Sequence, residues 1–480
     1  MQRKAENHGL DDFGVGVNHV RQRITFMSEF KNDIDEMKQR LNAVSKSFCL
    51  AKWKQVTIHL QNGHTHSCHH PDTHHVPLEE LRVNPSALHN TAFKKKQRQM
   101  MLNNQRPAEC GYCWNIEDLP GDQISDRHIK SNDPWAKRFF DDVAGGAWDA
   151  DVLPSYVEVS FSNKCNFKCA YCAPYISSKW MAEIKESGPY PTHLKFNNID
   201  HLIRTNKMPI EDEDANPYVQ AFWKWWPTLY PQLEVFRVTG GEPLLSSSTF
   251  KVLDFVAESP NPKMELAINS NLGVPSSLVE KLKERMIKIE TNKSVKSLTI
   301  YTSIDCWGRN AELIRTGLDL ELLQKNVKIL VNQVPKLRLT FMCTFNLLSP
   351  PTFLDLIKWI RDLKCDPDVL RNVNQIILDI SYLRHPEFLS AKLLPKKLIP
   401  KLYDCIKFME ANSVHKIGWG RGFFDFEIAK LRRPIDWIES PEDSARQIHF
   451  ANEFKLFIQE YEKRRKFSFL DEFPDYQDLF

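Results

Sequence analysis

From residue 155 onward, the sequence alternates between segments with the pattern of β-strands and segments with the pattern of helices. Six stretches predict strands, and most of them are separated by helical periodicity. Strands that are joined through helices form a parallel sheet. We therefore predict an α/β fold, an open or partial barrel with its chemistry at the C-terminal ends of the strands. The predicted strands cover residues 155–161, 233–240, 264–271, 297–305, 337–345 and 374–383.

The charge balance and the hydropathy pattern exclude several classes of protein. The 480 residues include 64 Lys and Arg and 61 Asp and Glu, a formal net charge of +3. This small excess gives no electrostatic footprint for long nucleic acid or an anionic membrane. No run of about 18 or more apolar residues is present, and residues 1–14 lack a signal-peptide core. We therefore expect a cytoplasmic protein with reduced thiols and no membrane partner.

The eleven cysteines are unevenly distributed along the chain. Seven lie between Cys49 and Cys172, and four are scattered over the rest of the sequence. An odd number cannot all pair within one chain, and clustered cysteines in a reducing compartment indicate a metal site or catalysis before disulfides. The cysteines between positions 49 and 172 are therefore the first candidates for a functional site.

Three of these cysteines, Cys165, Cys169 and Cys172, form the motif CNFKCAYC directly after the first predicted strand. Thiolate is a soft, anionic ligand that suits iron–sulfur clusters. Three thiolates on one short loop can hold three corners of a 4Fe–4S cubane and leave the fourth iron open to another ligand. The alternative is a zinc loop or a chance grouping. Closed zinc sites usually have two cysteine pairs about 15–20 residues apart, and no second pair follows here at that distance.

The second predicted strand ends in Thr239 and is followed by the sequence GGEP, residues 240–243. Two glycines allow the backbone to approach a ligand closely, although GGEP alone is more often an ordinary turn. Together with C-x3-C-x2-C, it resembles the signature of the radical S-adenosylmethionine (radical SAM) superfamily. The resemblance implies a catalytic 4Fe–4S cluster whose open iron binds S-adenosylmethionine. Reductive cleavage then yields a 5′-deoxyadenosyl radical that abstracts hydrogen from a substrate.

The resemblance also implies a set of contacts to S-adenosylmethionine. GGEP would hold the methionine amine, Arg315 its carboxylate, and Tyr171 would lie beside the adenine. Ser303 and Asp305 match a ribose-contacting Ser-x-Asp, but Cys306 stands where glycine is usual. Each residue alone is more often structural. The implied cofactor-binding residues are Tyr171, Gly240, Gly241, Glu242, Pro243, Asn269, Ser303, Asp305 and Arg315. An electron donor such as flavodoxin or ferredoxin is also implied.

A second set of cysteines precedes the predicted barrel and consists of Cys49, Cys68, Cys110 and Cys113. Four thiolates form a complete ligand set, which holds a structural zinc or an iron–sulfur cluster equally well. The set is similar to that of twitch-type domains, the short relatives of SPASM domains, with a hairpin that turns at residues 62–63. The similarity implies an auxiliary 4Fe–4S cluster that transfers electrons.

Other motifs favour structural roles. The histidine-rich segment 64–75 could bind metal, but we expect mostly solvated loop residues, with His66 and His69 near the cluster. The tryptophans of residues 222–230 favour a helix face that packs on the barrel over base stacking. Cys343 and Cys365 are expected to behave as buried apolar residues. Cys306 is either an inert thiol or a contact to substrate.

The patterns and the resemblance together predict a partial (β/α)6 TIM-like barrel of the radical SAM type. An N-terminal twitch-like domain precedes it, and a helical tail follows. The predicted enzyme is a radical SAM oxidoreductase or maturase that acts on an unknown peptide or small molecule. The alternative function is a zinc-stabilised interaction or RNA-binding module without redox chemistry. The predicted segments are 1–46 (helical), 47–150 (auxiliary cluster and linker), 151–400 (barrel) and 401–480 (helical extension).

Overall fold

The computed structural model describes residues 32–195, 197–369, 376–418 and 420–480. The predicted N-terminal helical segment lies largely outside these residues, and its described part forms a helix at 32–44. The chain divides into two compact units. The smaller unit contains residues up to 57, 66–74 and 89–156, and the larger unit contains residues 58–65, 75–88 and 157–480.

A large, mostly parallel sheet organises the larger unit. The strands of the described chain are β1 (Gln55–His59), β2 (His64–His66), β3 (His74–His75), β4 (Tyr156–Ser160), β5 (Lys168–Cys169), β6 (Val235–Thr239), β7 (Asn261–Ser270), β8 (Val295–Ser303), β9 (Arg315–Thr316), β10 (Leu337–Phe345) and β11 (Ile376–Tyr382). Strands β5 and β9 form a separate two-stranded ribbon. The long strands lie in the order β4, β6, β7, β8, β10, β11. The pairs from β6 to β11 are parallel. This confirms the α/β class; closure into a partial barrel stays a prediction.

The strands alternate between a face covered by helices and a more open face. Along β8, Leu298, Ile300 and Thr302 are buried, whereas the residues between them are partly exposed. Such alternation is expected where one face of a strand packs on the apolar stripes of helices. The helices of the larger unit are Leu78–Val83, Ser178–Ser187, Ile199–Arg204, Pro217–Leu229, Ser247–Glu258, Ser276–Thr291, Gly308–Ile314, Leu320–Gln333, Phe353–Cys365, Ile399–Ala411, Val414–Ile417, Asp425–Glu439, Ser444–Arg465 and Phe469–Glu472.

The smaller unit is mainly helical. Residues 121–150, the end of the segment predicted as auxiliary cluster and linker, contain three short helices. A basic helix, Ala92–Leu102, precedes the segment that bears Cys110 and Cys113. Besides helix 32–44, the helices of this unit are Ala51–Lys54, Ala92–Leu102, Gly111–Glu117, Asp126–Asn132, Pro134–Lys137 and Phe140–Ala144.

The predicted hairpin turn lies within the larger unit. Gly63 connects β1 to β2 with φ of +68°, a conformation that L side chains rarely adopt. A Cβ at this position would lie 2.1 Å from the ring of Tyr218. Glycine is therefore required here both by the backbone and by the space beside it.

Within the described ranges, no helix is long and apolar enough to cross a membrane.

A buried ion pair attaches the C-terminal helices to the edge strand β11. The Lys364 Nζ lies 2.8 Å from the Glu427 Oε2, and both side chains are 1% or less exposed. The same carboxylate accepts hydrogen bonds from the backbone N–H groups of Leu378 in β11, at 2.8 Å, and of Phe424, at 2.7 Å. The Glu427 carboxylate thus connects helix Asp425–Glu439 to the sheet, and the ion pair of Lys430 with Asp379 in β11 adds a second connection.

Replacing Glu427 by Ala should destabilise the larger unit by about 3–5 kcal/mol, because it leaves the Lys364 ammonium buried without its countercharge. Urea denaturation followed by circular dichroism measures this change. The matched control is Asp404→Asn. Asp404 pairs with Lys407, and the two side chains are 57% and 75% exposed. This variant should lower the free energy of unfolding by less than about 1 kcal/mol. Equal losses in the two variants would contradict the role assigned to Glu427.

Candidate functional site

The three cysteines of CNFKCAYC lie on a loop that begins after β4 and ends at helix Ser178–Ser187. Hydrogen bonds to that helix hold the loop: Ser178 Oγ accepts from the Cys165 N–H at 3.1 Å, and Trp180 Nε1 donates to the Cys169 carbonyl at 2.8 Å. The Cys172 N–H also donates to the Cys169 carbonyl, at 2.9 Å. The cysteine loop is therefore anchored by its backbone, which leaves its thiols to face a cavity.

This cavity has a volume of about 230 Å³ and lies at the C-terminal ends of the strands. The three thiols share it with residues that follow or end β6, β7, β8 and β10. Burial raises the pKa of all three thiols, that of Cys172 to about 12. The lining residues are Cys165, Phe167, Cys169, Tyr171, Cys172, Ile176, Thr239, Gly240, Gly241, Asn269, Ser270, Asn271, Ser303, Arg315 and Thr344.

The two glycines after β6 allow the GGEP turn to pack directly on the cysteine loop. Gly240 has φ of +126°, and a Cβ there would lie 2.6 Å from Ser160 Oγ. A Cβ on Gly241 would lie 2.4 Å from the Lys164 carbonyl oxygen. Any larger residue would push this turn away from the cysteines, so both glycines are needed for the shape of the cavity.

Glu242 lies behind the cavity wall, not in it. Its carboxylate accepts hydrogen bonds from Ser270 Oγ at 2.8 Å and the Leu244 N–H at 3.0 Å through Oε1, and from the Asn271 N–H at 2.6 Å through Oε2. Burial raises the pKa of Glu242 to about 7, against the lowering effect of these donors. Neither Glu242 nor Pro243 is among the described lining residues. Through these hydrogen bonds, the Glu242 carboxylate connects the GGEP turn to the end of β7.

Asp305 also lies behind the wall and accepts hydrogen bonds from three lining residues. It is fully buried. Its Oδ1 accepts from Arg315 Nη2 and from the Thr344 N–H, both at 2.9 Å, and its Oδ2 accepts from Tyr171 OH at 2.8 Å. Burial alone would lower the pKa of Arg315, but Asp305, Tyr171 and Cys169 raise it well above its usual value. The guanidinium is therefore a permanent cation.

Arg315 is brought to the cysteine loop by a small antiparallel ribbon. Strands β5 and β9 pair so that Cys169 lies opposite Arg315, and Arg315 Nη1 is 3.6 Å from the Cys169 sulfur. Of the other implied cofactor contacts, Tyr171, Asn269 and Ser303 line the cavity. Asn269 accepts a hydrogen bond from Arg237 Nε at 2.7 Å.

The C-terminal helix Ser444–Arg465 supports this ribbon, a role that the sequence does not reveal. Tyr461 OH donates to the Leu313 carbonyl at 2.7 Å, and Arg465 Nε donates to Thr316 Oγ1 at 3.0 Å. Arg465 Nη1 also donates to Tyr190 OH at 2.7 Å. The only local signal is a basic cluster at residues 463–465, which on a helix usually faces solvent.

The four remaining cysteines of the N-terminal half line one cavity within the smaller unit. Hydrogen bonds within the unit fix the segments that carry them: Arg127 Nη1 donates to the Phe48 carbonyl at 2.9 Å, and the Leu50 N–H donates to Ser131 Oγ at 3.1 Å. Burial raises the pKa of the Cys68 thiol. It also raises the pKa of Cys110 to about 11 and that of Cys113 to about 12. The lining residues are Cys49, Ala51, Lys52, Ser67, Cys68, His70, Pro71, Met101, Cys110, Cys113, Trp114, Asp126, Arg127 and Lys130.

In the described ranges, no group of three or more His, Cys, Asp or Glu side chains has an arrangement that could hold a metal ion. The histidine-rich segment instead makes hydrogen bonds within the protein. His70 Nε2 lies 2.6 Å from Asp126 Oδ2, His69 Nε2 lies 3.2 Å from Gln55 Nε2, and His66 Nδ1 contacts the Cys68 carbonyl. Most of these histidines are half-buried, so the expectation of a mostly solvated loop is wrong.

The scattered cysteines and the tryptophans have structural settings. Cys343 is buried as predicted, but Cys365 is partly exposed, so the expectation of a buried thiol is wrong there. The Cys365 sulfur lies 3.7 Å from the Arg421 carbonyl oxygen. Cys306 is fully buried and is not among the described residues that line the cavity of the three cysteines. Trp225 and Trp226 are buried on helix Pro217–Leu229, as expected for a helix that packs on the sheet.

Comparisons with known proteins point to one group of enzymes. The chain is 25% identical over 187 residues to GTP 3′,8-cyclase of Sulfurimonas denitrificans, covering 38% of this chain and 48% of that protein. It is 24% identical over 268 residues to that of Nautilia profundicola, covering 55% and 71%. For Campylobacter lari the identity is 22% over 213 residues, covering 43% and 52%. The chain thus spans about half the length of two of these relatives.

GTP 3′,8-cyclases are radical SAM enzymes, so these relatives confirm the radical SAM resemblance of the cysteine and GGEP motifs. They support radical SAM chemistry and an enzymatic role for this chain. No protein-family model and no solved structure matches the chain.

Proposed function

We propose that the chain is a radical SAM oxidoreductase or maturase in which Cys165, Cys169 and Cys172 hold a 4Fe–4S cluster. The observation that carries this proposal is their shared cavity with the two glycines of the GGEP turn. The donor set fits the group, because three soft thiolates leave one iron for S-adenosylmethionine. When bound, the cluster and S-adenosylmethionine supply a 5′-deoxyadenosyl radical. The sheet is proposed to form the partial barrel typical of the superfamily.

The residues of this chain bind and orient the cofactor. Gly240 and Gly241 present backbone close to the thiols, and Tyr171, Asn269 and Ser303 supply the side-chain contacts. Arg315 is a buried cation beside Cys169 and suits the methionine carboxylate. Among the nine implied contacts, the structure favours a supporting role for the carboxylates Glu242 and Asp305, which stand behind the lining, and for Pro243.

We propose a second, auxiliary 4Fe–4S cluster on Cys49, Cys68, Cys110 and Cys113 in a twitch-like domain. Their common cavity supports one centre with four protein ligands. In a cubane each thiolate binds a different iron, so the ligands lie further apart than those of one ion. A fully ligated cluster suits electron transfer, giving a net oxidation or a new bond. A zinc-stabilised interaction module remains the alternative function.

The substrate is proposed to be a peptide or a small molecule, and flavodoxin or ferredoxin the electron donor, in the cytoplasm. The names of the relatives describe the cyclisation of GTP. GTP therefore belongs among the first compounds to assay, together with the peptides encoded beside the gene. A compound whose addition increases the formation of 5′-deoxyadenosine would be identified as the substrate.

Metal analysis of the anaerobically purified protein tests both clusters. We expect about eight irons per chain and a broad absorption near about 400 nm. Alanine at Cys165, Cys169 and Cys172 should leave about four irons, and alanine at the four auxiliary cysteines should also leave about four. Cys405→Ala, a buried control far from either set in sequence, should keep all eight. A colourless protein with two zinc ions would contradict the proposal and favour the interaction module.

A further inference from the structure

The cavity of the four cysteines in the smaller unit is also lined by cationic side chains. Lys52, Arg127 and Lys130 all face it. Lys52 and Arg127 are each only 2% exposed, and Lys130 is 15% exposed at its side chain. Long cationic side chains are rarely buried without a compensating anion. One carboxylate, Asp126, also lines the cavity and pairs with Lys130, so cations exceed anions in the lining, which suits a centre that carries negative charge.

The carboxylates that pair with two of these cations stand outside the lining. Glu109 pairs with Lys52, and Glu117 pairs with Arg127 Nη2 at 2.9 Å. Neither Glu109 nor Glu117 is among the described lining residues. In each pair the cation lines the cavity of the four thiols and the carboxylate does not.

Lys52 is the cation best placed to act on a bound centre. It is carried by helix Ala51–Lys54, which begins two residues after Cys49, and it lines the same cavity as Cys68 and Cys110. Its partner Glu109 is the residue before Cys110. Both members of this ion pair thus lie beside segments that bear cysteines of the set.

A cluster held by four thiolates is anionic and gains one more negative charge on reduction. A nearby buried cation stabilises the reduced state more than the oxidised state, because charge interactions are strong where water is excluded. Net charge and hydrogen bonding around the sulfurs are the levers by which proteins set cluster potentials. A lysine at this position therefore favours electron uptake.

We propose that Lys52 raises the reduction potential of the auxiliary cluster, which makes that cluster an electron acceptor during turnover, and that the negative charge of its partner Glu109 partly offsets this effect. The inference rests on the proposed auxiliary 4Fe–4S cluster. Lys52 acts on the cluster through its positive charge.

The test uses the full chain with alanine at Cys165, Cys169 and Cys172, so that the auxiliary cluster alone is observed. Its potential is measured by a redox titration followed by electron paramagnetic resonance. Lys52→Met should lower the equilibrium constant for reduction about tenfold, which is about 59 mV for one electron. Glu109→Gln should shift the potential in the opposite direction, because it removes an anion. Lys96→Met, an exposed site on helix Ala92–Leu102, is the control and should cause no shift.

Opposite shifts in the Lys52 and Glu109 variants support the inference, because general damage to the cavity would not move the potential both ways. If the two variants keep about four irons but leave the potential unchanged or shift it in one direction, the inference is wrong although the cluster proposal stands. If the chain with the three alanines contains zinc and no iron, the auxiliary cluster proposal fails, and the inference fails with it.

Discussion

Replacing Cys169 by Ala should abolish the formation of 5′-deoxyadenosine from S-adenosylmethionine. The three-thiol set has no spare ligand, so the loss of one leaves a cubane with two protein ligands. Cys169 is also the cysteine that Arg315 contacts, through Nη1 at 3.6 Å. We expect a loss of more than about 100-fold, beyond what changes to outer-shell partners of metal sites cause.

The measurement is anaerobic incubation with S-adenosylmethionine and dithionite, followed by chromatography of 5′-deoxyadenosine. Cys405→Ala is the matched control, because Cys405 is fully buried and lies on helix Ile399–Ala411. It should fold less stably and still produce 5′-deoxyadenosine. The Cys169 variant should keep the auxiliary cluster, at about four irons per chain. Wild-type levels of 5′-deoxyadenosine in the Cys169 variant would refute the radical SAM proposal.

Local patterns in the sequence predict the sheet well. Strand β10 begins and ends where the apolar alternation does, at 337 and 345, and β4 lies within the predicted 155–161. These boundaries follow from side chains that must alternate between a buried and an open face. The cysteine loop and GGEP are equally local, since their spacing alone places them at neighbouring strand ends.

The roles of single polar residues could not be predicted, because they depend on contacts distant in sequence. Asp305 and Glu242 match motif positions, but their carboxylates accept hydrogen bonds from within the protein. Asp305 accepts from the Thr344 N–H in β10, and Glu242 accepts from Ser270 Oγ at the end of β7 and from the Asn271 N–H that follows. Tyr461 supports Leu313, 148 residues away in the chain. No periodicity encodes such pairings. In the smaller unit, the spacing of cysteines indicates ligands but not that Lys52 and Arg127 share their cavity.

Asp305→Asn should lower the rate of 5′-deoxyadenosine formation about 100-fold. This corresponds to an increase of about 2.7 kcal/mol in the activation free energy, caused by lost positioning. The wild-type carboxylate accepts from Arg315, Tyr171 and Thr344 at once. An amide has only one acceptor oxygen, so its NH2 group must face at least one of these donors. Arg315 would then be a buried cation without its countercharge and would leave its position beside Cys169.

A spectroscopic signature separates this role from a direct contact of Asp305 with the ribose. If Asp305 acts through Arg315, Asp305→Asn should change the electron paramagnetic resonance spectrum of the reduced catalytic cluster even without S-adenosylmethionine, because the Arg315 contact to the Cys169 sulfur is lost. Asp319→Asn is the control, since Asp319 caps helix Leu320–Gln333 and asparagine caps equally well. A ribose contact would instead weaken S-adenosylmethionine binding and leave the spectrum of the cofactor-free cluster unchanged. The burial of the Asp305 carboxylate behind Arg315 and Tyr171 favours the first result.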